Sequence, residues 1–456
     1  MKINVTFTET NETLGAIREE ITKKEQVNFG EGFILGKTAY QYAVEGGYTG
    51  SEEDFAKMIS TQCASQEYVE ESVEKILSSI DQAVFDKQLL VDILAGTCEN
   101  LKGDAITSVA DYVFYMKDSL KVIDLPNCIS TGSYTFYSCT GLTEINLPVL
   151  TSVGSYAFNK CTGLTEIDLP NCISTGEHAF RECTGLTEIN LPVLTSVGNS
   201  AFYNCTGLTE IDLPNCISVE NYAFNGCTGL TEINLPLLTS VEQYAFQGCT
   251  GLTEIDLPNC ISVENYAFNK CTGLTEIDLP AVTSVGNSAF DGCTGLTEIN
   301  LPLLTSVGNS AFSNCTGLTE IDLPAVTSVE NSAFSNCTGL TEIDLSAVTS
   351  VGNYAISNCT GLTEIDLSAV TSVGNNAFNK CTGLRKVFIG KSCKTISATG
   401  YSRSPFYGCT NAELKIFCEA SSKPSGWGTY WNYYANASGK TCTTVWGATY
   451  EDYLAY

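Results

Sequence analysis

The residues that could do chemistry in this chain are carboxylates, and they recur at a fixed interval. From Glu144 to Glu364 a glutamate returns eleven times, every 22 residues. Aspartate fills the position two residues further on in eight copies, beginning with Asp124. Two carboxylates on one side of a strand have the composition of a glycosidase acid/base pair. The near-identical copies predict a charged surface instead, because a catalytic pair needs one distinct environment.

This acidic surface is the first candidate binding site. One interpretation is a hydrated face that keeps a long sheet from aggregating. The other is a surface for a basic or sugar ligand, or for weak calcium binding, the one cofactor hypothesis that the sequence raises. Neighbouring like charges ~4.8 Å apart repel by about 1 kcal/mol each even in water. The candidate residues are Glu144, Glu166, Asp168, Glu210, Asp212, Glu254, Asp256, Glu298 and Glu342.

No other set of residues in the sequence resembles an active site. The single histidine, His178, occupies a position that other repeats fill with Ser, Tyr or Asn, so we expect a solvent-side variant. The sequence contains no C-x-x-C pair, H-E-x-x-H motif, Walker loop or G-x-S-x-G motif. It therefore predicts a non-enzyme.

The elements that position the carboxylates follow from one repeated pattern, C-T-G-L-T-E-I-[DN]-L-P-x-x-x-S-[VT]-[GE]-x-x-A-F-x-x. Alternating Ile and Leu predict a short strand with one buried side. The proline after it ends that strand, because proline cannot extend a ladder. The Ser-Val segment predicts a second, shorter extended piece. Asn-x-Ala-Phe predicts a tight helical turn that places its Phe inward.

Stacked copies are required to bury the apolar residues of this pattern, since one copy cannot do so alone. With about 13 to 14 coils at ~4.8 Å, the predicted solenoid is roughly 65 Å long. Twelve cysteines recur one repeat apart, from Cys139 to Cys381. We expect reduced thiols in the core rather than a disulfide ladder, because disulfides need closer Cβ atoms and a specific torsion. Cys128, Cys172, Cys216 and Cys260 alternate with leucines, which indicates growth by two-coil units.

The sequence L-T-E-I-D-L followed by S-V-x-x-x-A-F-x-x-C resembles the BspA-like leucine-rich repeats of bacterial surface and phage-borne proteins. The resemblance implies a mostly β repeat solenoid over residues 104–410, with one strand, a short extended piece and a helical turn per coil. It also implies surface recognition or adhesion, with a protein or surface carbohydrate as partner, and does not identify the ligand.

The N-terminal third differs in composition and predicts a small helical region. The opening and the stretch from Ala39 to Gly50 resemble the start of tail and fibre-type proteins of phages of Gram-positive bacteria. We therefore interpret residues 1–62 as an attachment region. Residues 63–103 predict a helical linker whose apolar spacing over 69–94 is heptad-like. Two interpretations remain open: an oligomerising coiled coil that makes a homo-oligomer, and a helix that caps the first coil.

Residues 411–456 carry the aromatic side chains at the end of the chain. Trp427, Tyr430, Trp431 and Trp446 are the candidates there. One interpretation is an apolar cap over the open end of the core, and the other is an aromatic platform for carbohydrate. We expect Ala448 to Tyr456 to form a mobile tail.

Charge and hydropathy limit the partners and the location. Lys and Arg number 23 against 51 Asp and Glu, a formal net charge of −28. This balance argues against nucleic acid and anionic membranes as partners. No apolar stretch predicts membrane insertion, and the N-terminus does not resemble a Sec-type signal peptide. The sequence therefore favours a tail-associated virion protein that contacts the host surface. The alternatives are a cell-surface or secreted adhesin and an acidic, cation-binding spacer.

Overall fold

The computed structural model describes residues 98–104, 106–435 and 440–456. The chain divides into two compact units, Met1–Leu208 and Thr209–Tyr456. The predicted attachment region at 1–62 and the heptad-like segment at 69–94 lie outside the described residues, so both stay predictions. Most coils of 22 residues contribute one longer strand and one two-residue strand, as the alternating pattern predicts, whereas segments 254–256, 320–322 and 342–344 of the second unit form no regular strand.

The first unit is a stack of coils joined by parallel pairing. The longer strands pair as β1-β3-β5 and β7-β9, and the short strands form a sheet in which β10, β8, β6, β4 and β2 follow one another. Its strands are β1 (Asn100–Lys102), β2 (Ser108–Val109), β3 (Val122–Asp124), β4 (Ser130–Thr131), β5 (Glu144–Asn146), β6 (Ser152–Val153), β7 (Glu166–Asp168), β8 (Ser174–Thr175), β9 (Glu188–Asn190) and β10 (Ser196–Val197).

The second unit repeats this plan and ends in a short helix, α1 (Tyr450–Leu454). The longer strands pair as β11-β13, β16-β18 and β22-β24-β26-β27. Its strands are β11 (Glu210–Asp212), β12 (Ser218–Val219), β13 (Glu232–Asn234), β14 (Ser240–Val241), β15 (Ser262–Val263), β16 (Glu276–Asp278), β17 (Ser284–Val285), β18 (Glu298–Asn300), β19 (Ser306–Val307), β20 (Ser328–Val329), β21 (Ser350–Val351), β22 (Glu364–Leu367), β23 (Ser372–Val373), β24 (Lys386–Ile389), β25 (Thr395–Ile396), β26 (Lys415–Cys418) and β27 (Thr443–Trp446), with a 3-10 helix (Tyr401–Arg403) after β25.

Identical residues form ladders in the core of each unit. Phe158 stacks on Phe180 at 5.5 Å between ring centroids, and Phe246 stacks on Phe268 at 5.3 Å. Every cysteine of the described residues is a buried thiol outside any disulfide, which confirms the core placement. The thiol of Cys183 donates a hydrogen bond to the carbonyl of Phe158 at 3.0 Å. Burial raises the pKa of Cys183 to about 12, so this thiol stays protonated and inert.

The Asn-x-Ala-Phe segment is not helical, and that prediction was wrong. Ala157 donates to the carbonyl of Gly154, and Tyr156 adopts a left-handed φ of 57°, which interrupts any helix. The amide of Phe158 donates to Ala179 of the next coil at 2.8 Å. The backbone donors that a helix would use internally therefore bind the neighbouring coil, which leaves a series of turns.

Candidate functional site

The longer strands of each unit carry two outward columns of polar residues. We call their outward surface the strand face, with a Glu column at the first strand position and an Asp/Asn column at the third. The isoleucine between them is buried, as in β7 (Glu166–Asp168), so both polar side chains point outward as predicted. All nine acidic candidates are exposed on this face: Glu144, Glu166 and Asp168 in the first unit, and Glu210, Asp212, Glu254, Asp256, Glu298 and Glu342 in the second.

The strand face is less uniform than the acidic ladder predicted from the sequence, because asparagine separates many of the aspartates. Asn234 donates from Nδ2 to Oδ1 of Asp212 in the preceding coil at 2.8 Å. The same bond joins three further pairs: Asn146 to Asp124, Asn190 to Asp168 and Asn300 to Asp278. The four pairs of coils so joined are also paired as strands: β3 with β5, β7 with β9, β11 with β13 and β16 with β18.

Three successive coils of the second unit have no such asparagine. Asp322, Asp344 and Asp366 follow one another in the Asp/Asn column, and segments 320–322 and 342–344 form no regular strand. Oδ1 of Asp344 instead accepts a hydrogen bond from the backbone N–H of Ser346 at 2.8 Å. Oδ1 of Asp366 accepts one from the backbone N–H of Ser368 at the same distance. The corresponding position after Asp322 is proline, which has no N–H to donate.

The last coils of the second unit replace the acidic residues of the strand face. Lys386 and Phe388 of β24 align with Glu364 and Asp366 of β22. Helix α1 covers these coils: Tyr453 is buried, and its ring lies 5.7 Å from Phe388 and 6.0 Å from that of Phe417. A capping box between Thr449 and Asp452 starts the helix. The expected mobile tail is therefore wrong, because these residues form a packed helix.

Helix α1 and β24 also supply partners for the carboxylates at the end of the acidic columns. Nζ of Lys386 lies 2.8 Å from Oε2 of Glu364 and 4.6 Å from the ring centroid of Tyr453. A hydrogen bond with Asp366 is the main cause that raises the pKa of Tyr450. Burial, followed by the charges of Glu364 and Asp366, raises the pKa of Tyr453. The ammonium of Lys386 thus pairs with Glu364, and the charges of Glu364 and Asp366 raise the pKa of both phenols.

The tryptophan candidates form one cluster at the end of the chain. Trp427 and Trp431 are buried, with ring centroids 4.7 Å apart, and Nε1 of Trp427 donates to the carbonyl of Cys393. Trp446 is 37% exposed and lies 5.7 Å from Trp431. Tyr430 instead contacts Tyr401 at 4.3 Å. Burial of two of the three indoles favours the cap interpretation, because a sugar platform needs open ring faces.

Stacked tyrosines line the turns that precede the buried phenylalanines. In the first unit Tyr134, Tyr156 and His178 lie in one stack, with successive centroids 4.4 Å apart. The His178 side chain is only 12% exposed, so the expected solvent-side variant is wrong. Burial lowers its pKa, and Glu177, which lies 3.2 Å away, opposes that shift. Because the ring faces cover one another, these stacks offer mainly their edges to a ligand.

A row of exposed apolar side chains was missed by the sequence analysis. We call the set in each unit its apolar stripe: the side chains lie between the longer strand and the short strand of their coils, where alternate coils carry Asn-Cys-Ile and Val-Leu-Thr or Leu-Leu-Thr. Its members in the first unit are Ile129 (52% exposed), Val149 (36%), Ile173 (49%) and Val193 (39%), and those in the second are Ile217 (59%), Leu237 (44%), Ile261 (53%) and Leu303 (54%). The alternation of these two triplets between successive coils is the sequence feature that could have indicated the stripe.

Metal and membrane sites were also searched in the described part of the chain. Residues 98–104, 106–435 and 440–456 contain no group of three or more His, Cys, Asp or Glu residues that could hold a metal ion. Within the same ranges no helix has the length and apolar character needed to span a bilayer.

Comparison with known proteins shows the family to which the chain belongs. The BspA type leucine rich repeat region matches residues 107–217, 195–305 and 283–413. A leucine-rich repeat protein from Bacteroides ovatus is 31% identical, over 69% of this chain and 82% of that one, with a TM-score of 0.62. A leucine rich cell surface protein from Faecalibacterium prausnitzii is 21% identical, over 76% and 92%, with a TM-score of 0.36. A search of curated proteins finds no match. The chain belongs to the BspA-type leucine-rich repeat family.

Proposed function

We propose that this chain is a non-catalytic recognition scaffold at a cell or particle surface, which binds a protein partner through the apolar stripe. The observation that carries the proposal is the stripe itself. Four large apolar residues in each unit are more than a third exposed, one per coil in adjacent coils apart from Leu303. Aligned exposed apolar surface of this kind marks interaction sites, because isolated soluble proteins rarely leave it uncovered.

The Asp/Asn column beside the stripe adds polar selectivity to this surface. Asp212 and Asp256 belong to the same coils as Ile217 and Ile261. Burial of the stripe would supply affinity at roughly 25 cal/mol per Å² of apolar surface covered. The carboxylates would favour partners with basic groups and exclude acidic ones.

Binding of the fluorescently labelled chain to intact bacterial and epithelial cells tests the proposal. Cells are compared untreated, after trypsin and after periodate. We expect trypsin to abolish binding, and we expect a stripe variant to lose at least tenfold in affinity. The stripe variant is Ile217→Ser, Leu237→Ser, Ile261→Ser and Leu303→Ser. The matched control keeps every hydroxyl on the same corner: Thr239→Ser, Thr305→Ser, Thr327→Ser and Thr349→Ser.

The control should bind as the unmodified chain does. The proposal fails if the chain binds neither cell type, or if the stripe variant binds normally. If periodate treatment of the cells abolishes binding and trypsin treatment leaves it unchanged, the partner is instead surface carbohydrate.

A tail-associated scaffold is the more specific form of this proposal. The stretch from Ala39 to Gly50 supports it through the resemblance to phage tail proteins, although these residues lie outside the described structure. Mass spectrometry of purified particles after prophage induction, compared with the cell-wall fraction of the same culture, separates the two locations. Enrichment in particles supports the tail form, and enrichment in the wall fraction supports a cell-surface adhesin.

A further inference from the structure

Two acceptor atoms in the turns of the first unit are buried without a donor. They are Oδ1 of Asn159 and Nδ1 of His178, and no group in residues 98–104, 106–435 and 440–456 hydrogen-bonds with either atom. Asn159 is only 2% exposed, and the His178 side chain is 12% exposed. Native proteins seldom bury an acceptor without a donor, because the group loses its bond to water and gains nothing in return. These two atoms therefore indicate that a donor comes from outside the chain.

The proton of His178 lies on the other ring nitrogen, which makes Nδ1 an acceptor. Nε2 lies 3.2 Å from Oε1 of Glu177, so Nε2 carries the proton and donates it to that carboxylate. Burial lowers the pKa of His178, so the imidazole is neutral and Nδ1 keeps its lone pair. The ring also lies against Tyr156, with centroids 4.4 Å apart. A ligand that meets Nδ1 must therefore bring a hydrogen.

The amide of Asn159 differs from the amides at equivalent positions of the second unit. There Nδ2 of Asn225 donates to Oε1 of Gln247 at 2.8 Å, which shows that these side chains lie side by side in successive coils. In the first unit the equivalent neighbours of Asn159 are Tyr137 and Arg181. Neither of them donates to its Oδ1. The amides bond one another in the second unit, whereas Asn159 has no such neighbour.

Charged and aromatic groups surround the two acceptors. Nε of Arg181 lies 3.1 Å from Oε1 of Glu182, and Nζ of Lys160 lies 3.9 Å from Oε2 of the same carboxylate. Nζ of Lys160 also lies 5.8 Å from the ring centroid of Tyr137. Besides burial, the charges of Arg181 and Glu182 also act on the pKa of His178, which places its ring near both. The acceptors thus lie among an ammonium, a guanidinium and a carboxylate.

A ligand that fits these groups must donate and accept hydrogen bonds at neighbouring atoms. It must donate to Asn159 and His178, and it must accept from Lys160 and Arg181. A hydroxyl does both, whereas an ionised carboxylate only accepts. Glu182 already offsets part of the positive charge, so the ligand needs no negative charge. The side chains of Lys160 and Arg181 are 44% and 34% exposed, and both are long enough to move aside for a ring.

We propose that Asn159, Lys160, His178 and Arg181 form a binding site, the turn site, for a neutral sugar residue. Neighbouring hydroxyls of the sugar donate to Oδ1 of Asn159 and Nδ1 of His178, and their oxygens accept from the two cations. The turn site uses none of the residues of the apolar stripe, so it goes beyond the proposed protein contact. It gives the scaffold a second way to recognise a glycosylated surface.

Saturation-transfer NMR of the full chain with the methyl glycosides of glucose, galactose, mannose and N-acetylglucosamine tests this proposal. We expect at least one of the four to bind at millimolar concentration. His178→Phe, which keeps an aromatic ring against Tyr156, should lower that affinity at least tenfold. Asn159→Ala should do the same without lowering the melting temperature, because Oδ1 has no bond to lose within the described part of the chain.

Matched controls change the same two columns in the second unit: Tyr222→Phe and Asn225→Ala. Both should keep the sugar affinity within threefold of that of the unmodified chain. The proposal is overturned if none of the four glycosides binds, if the site variants bind normally, or if controls and site variants lose affinity equally. Binding of glucose 6-phosphate without binding of methyl glucoside would overturn it too, because the site would then recognise charge.

The stripe variant separates this proposal from the proposed function. It should bind the glycoside with normal affinity, because its four substitutions lie in the second unit and leave the turn site unchanged. Loss of glycoside binding in the stripe variant would contradict a separate turn site. If no glycoside binds while cell binding still depends on the apolar stripe, the turn site falls and the scaffold function stands.

Discussion

The strand face at β11–β13 and the strand face at β22–β24 have the same parallel strand pairing, but their carboxylates have different partners. In the first, Asn234 bonds Asp212 and the surface stays open to water. In the second, Lys386 pairs with Glu364, and α1 covers the surface. The two coils before β22 have neither device. Asp256 and Asp278 are likewise neighbours in the column without an asparagine between them. The comparison shows two ways in which the repeat offsets charge on the strand face, and it shows that some coils use neither.

Removal of the apolar contact under α1 should have the largest effect. Phe388→Ala deletes a buried ring that packs against Tyr453 at 5.7 Å, and we expect a loss of about 3–5 kcal/mol in the free energy of unfolding. Urea denaturation followed by tryptophan fluorescence measures it, because Trp427, Trp431 and Trp446 report on this end of the chain. An unchanged urea midpoint would mean that α1 is not held by Phe388.

Conversion of an amide to a carboxylate tests the open region. Asn234→Asp removes the bond to Asp212 and adds a like charge beside it, so we expect a loss of about 1–3 kcal/mol in the free energy of unfolding. The loss should shrink at 1 M salt, where the Debye length is about 3 Å. A penalty that does not depend on salt would contradict the electrostatic explanation. Asn234→Ser, which adds no charge, is the control.

Alkaline pH tests the covered region. The pKa of Tyr453 is raised above its ordinary value of 10.0, so the folded state favours the protonated phenol. Its contribution is complete below pH 10 and is lost as the pH rises above that value. Between pH 9 and pH 11 the unmodified chain should therefore lose about 1 kcal/mol more than Tyr453→Phe does. Both proteins contain the same buried cysteines, so their difference isolates the phenol. Parallel pH profiles would contradict this.

The smallest effect is expected where charge is uncompensated. Asp344→Asn removes one of three adjacent carboxylates, while its amide oxygen can still accept the N–H of Ser346. We expect a gain of up to about 1 kcal/mol in the free energy of unfolding. The same exchange at Asp212, which already bonds an asparagine, should give no gain. Thermal unfolding of the two variants side by side measures the contrast, and equal shifts would remove the distinction between the two stretches.

Most of the fold could be predicted because each coil repeats the same buried residues. The period-two Ile and Leu and the recurring Phe and Cys specified the strand and the core. The helical turn could not be excluded from sequence, because the backbone donors of Phe158 and its equivalents bind a different coil. Likewise the position of α1 depends on Phe388, which lies more than 60 residues before Tyr453.

The candidate site was predicted in part. The acidic residues are exposed where the pattern placed them. The hydrogen bond between Asn234 and Asp212 could not be predicted from the sequence, because it joins two different coils. The apolar stripe was missed because Ile217 and Leu237 stand at different positions in their coils, so no single column of the repeat shows both. Nothing in a single repeat distinguishes an exposed Ile217 from a buried one.

Amide hydrogen exchange of the free chain tests the division of the strand face most directly. The account predicts strong protection at Ile233 and Ile299, in coils joined by an Asp–Asn pair, and at least tenfold faster exchange at Ile321 and Ile343, where aspartates are adjacent and no regular strand forms. Equal protection of all four amides in the free chain would contradict the account, because the coils with adjacent aspartates would then be paired as well as the coils with an Asp–Asn bond.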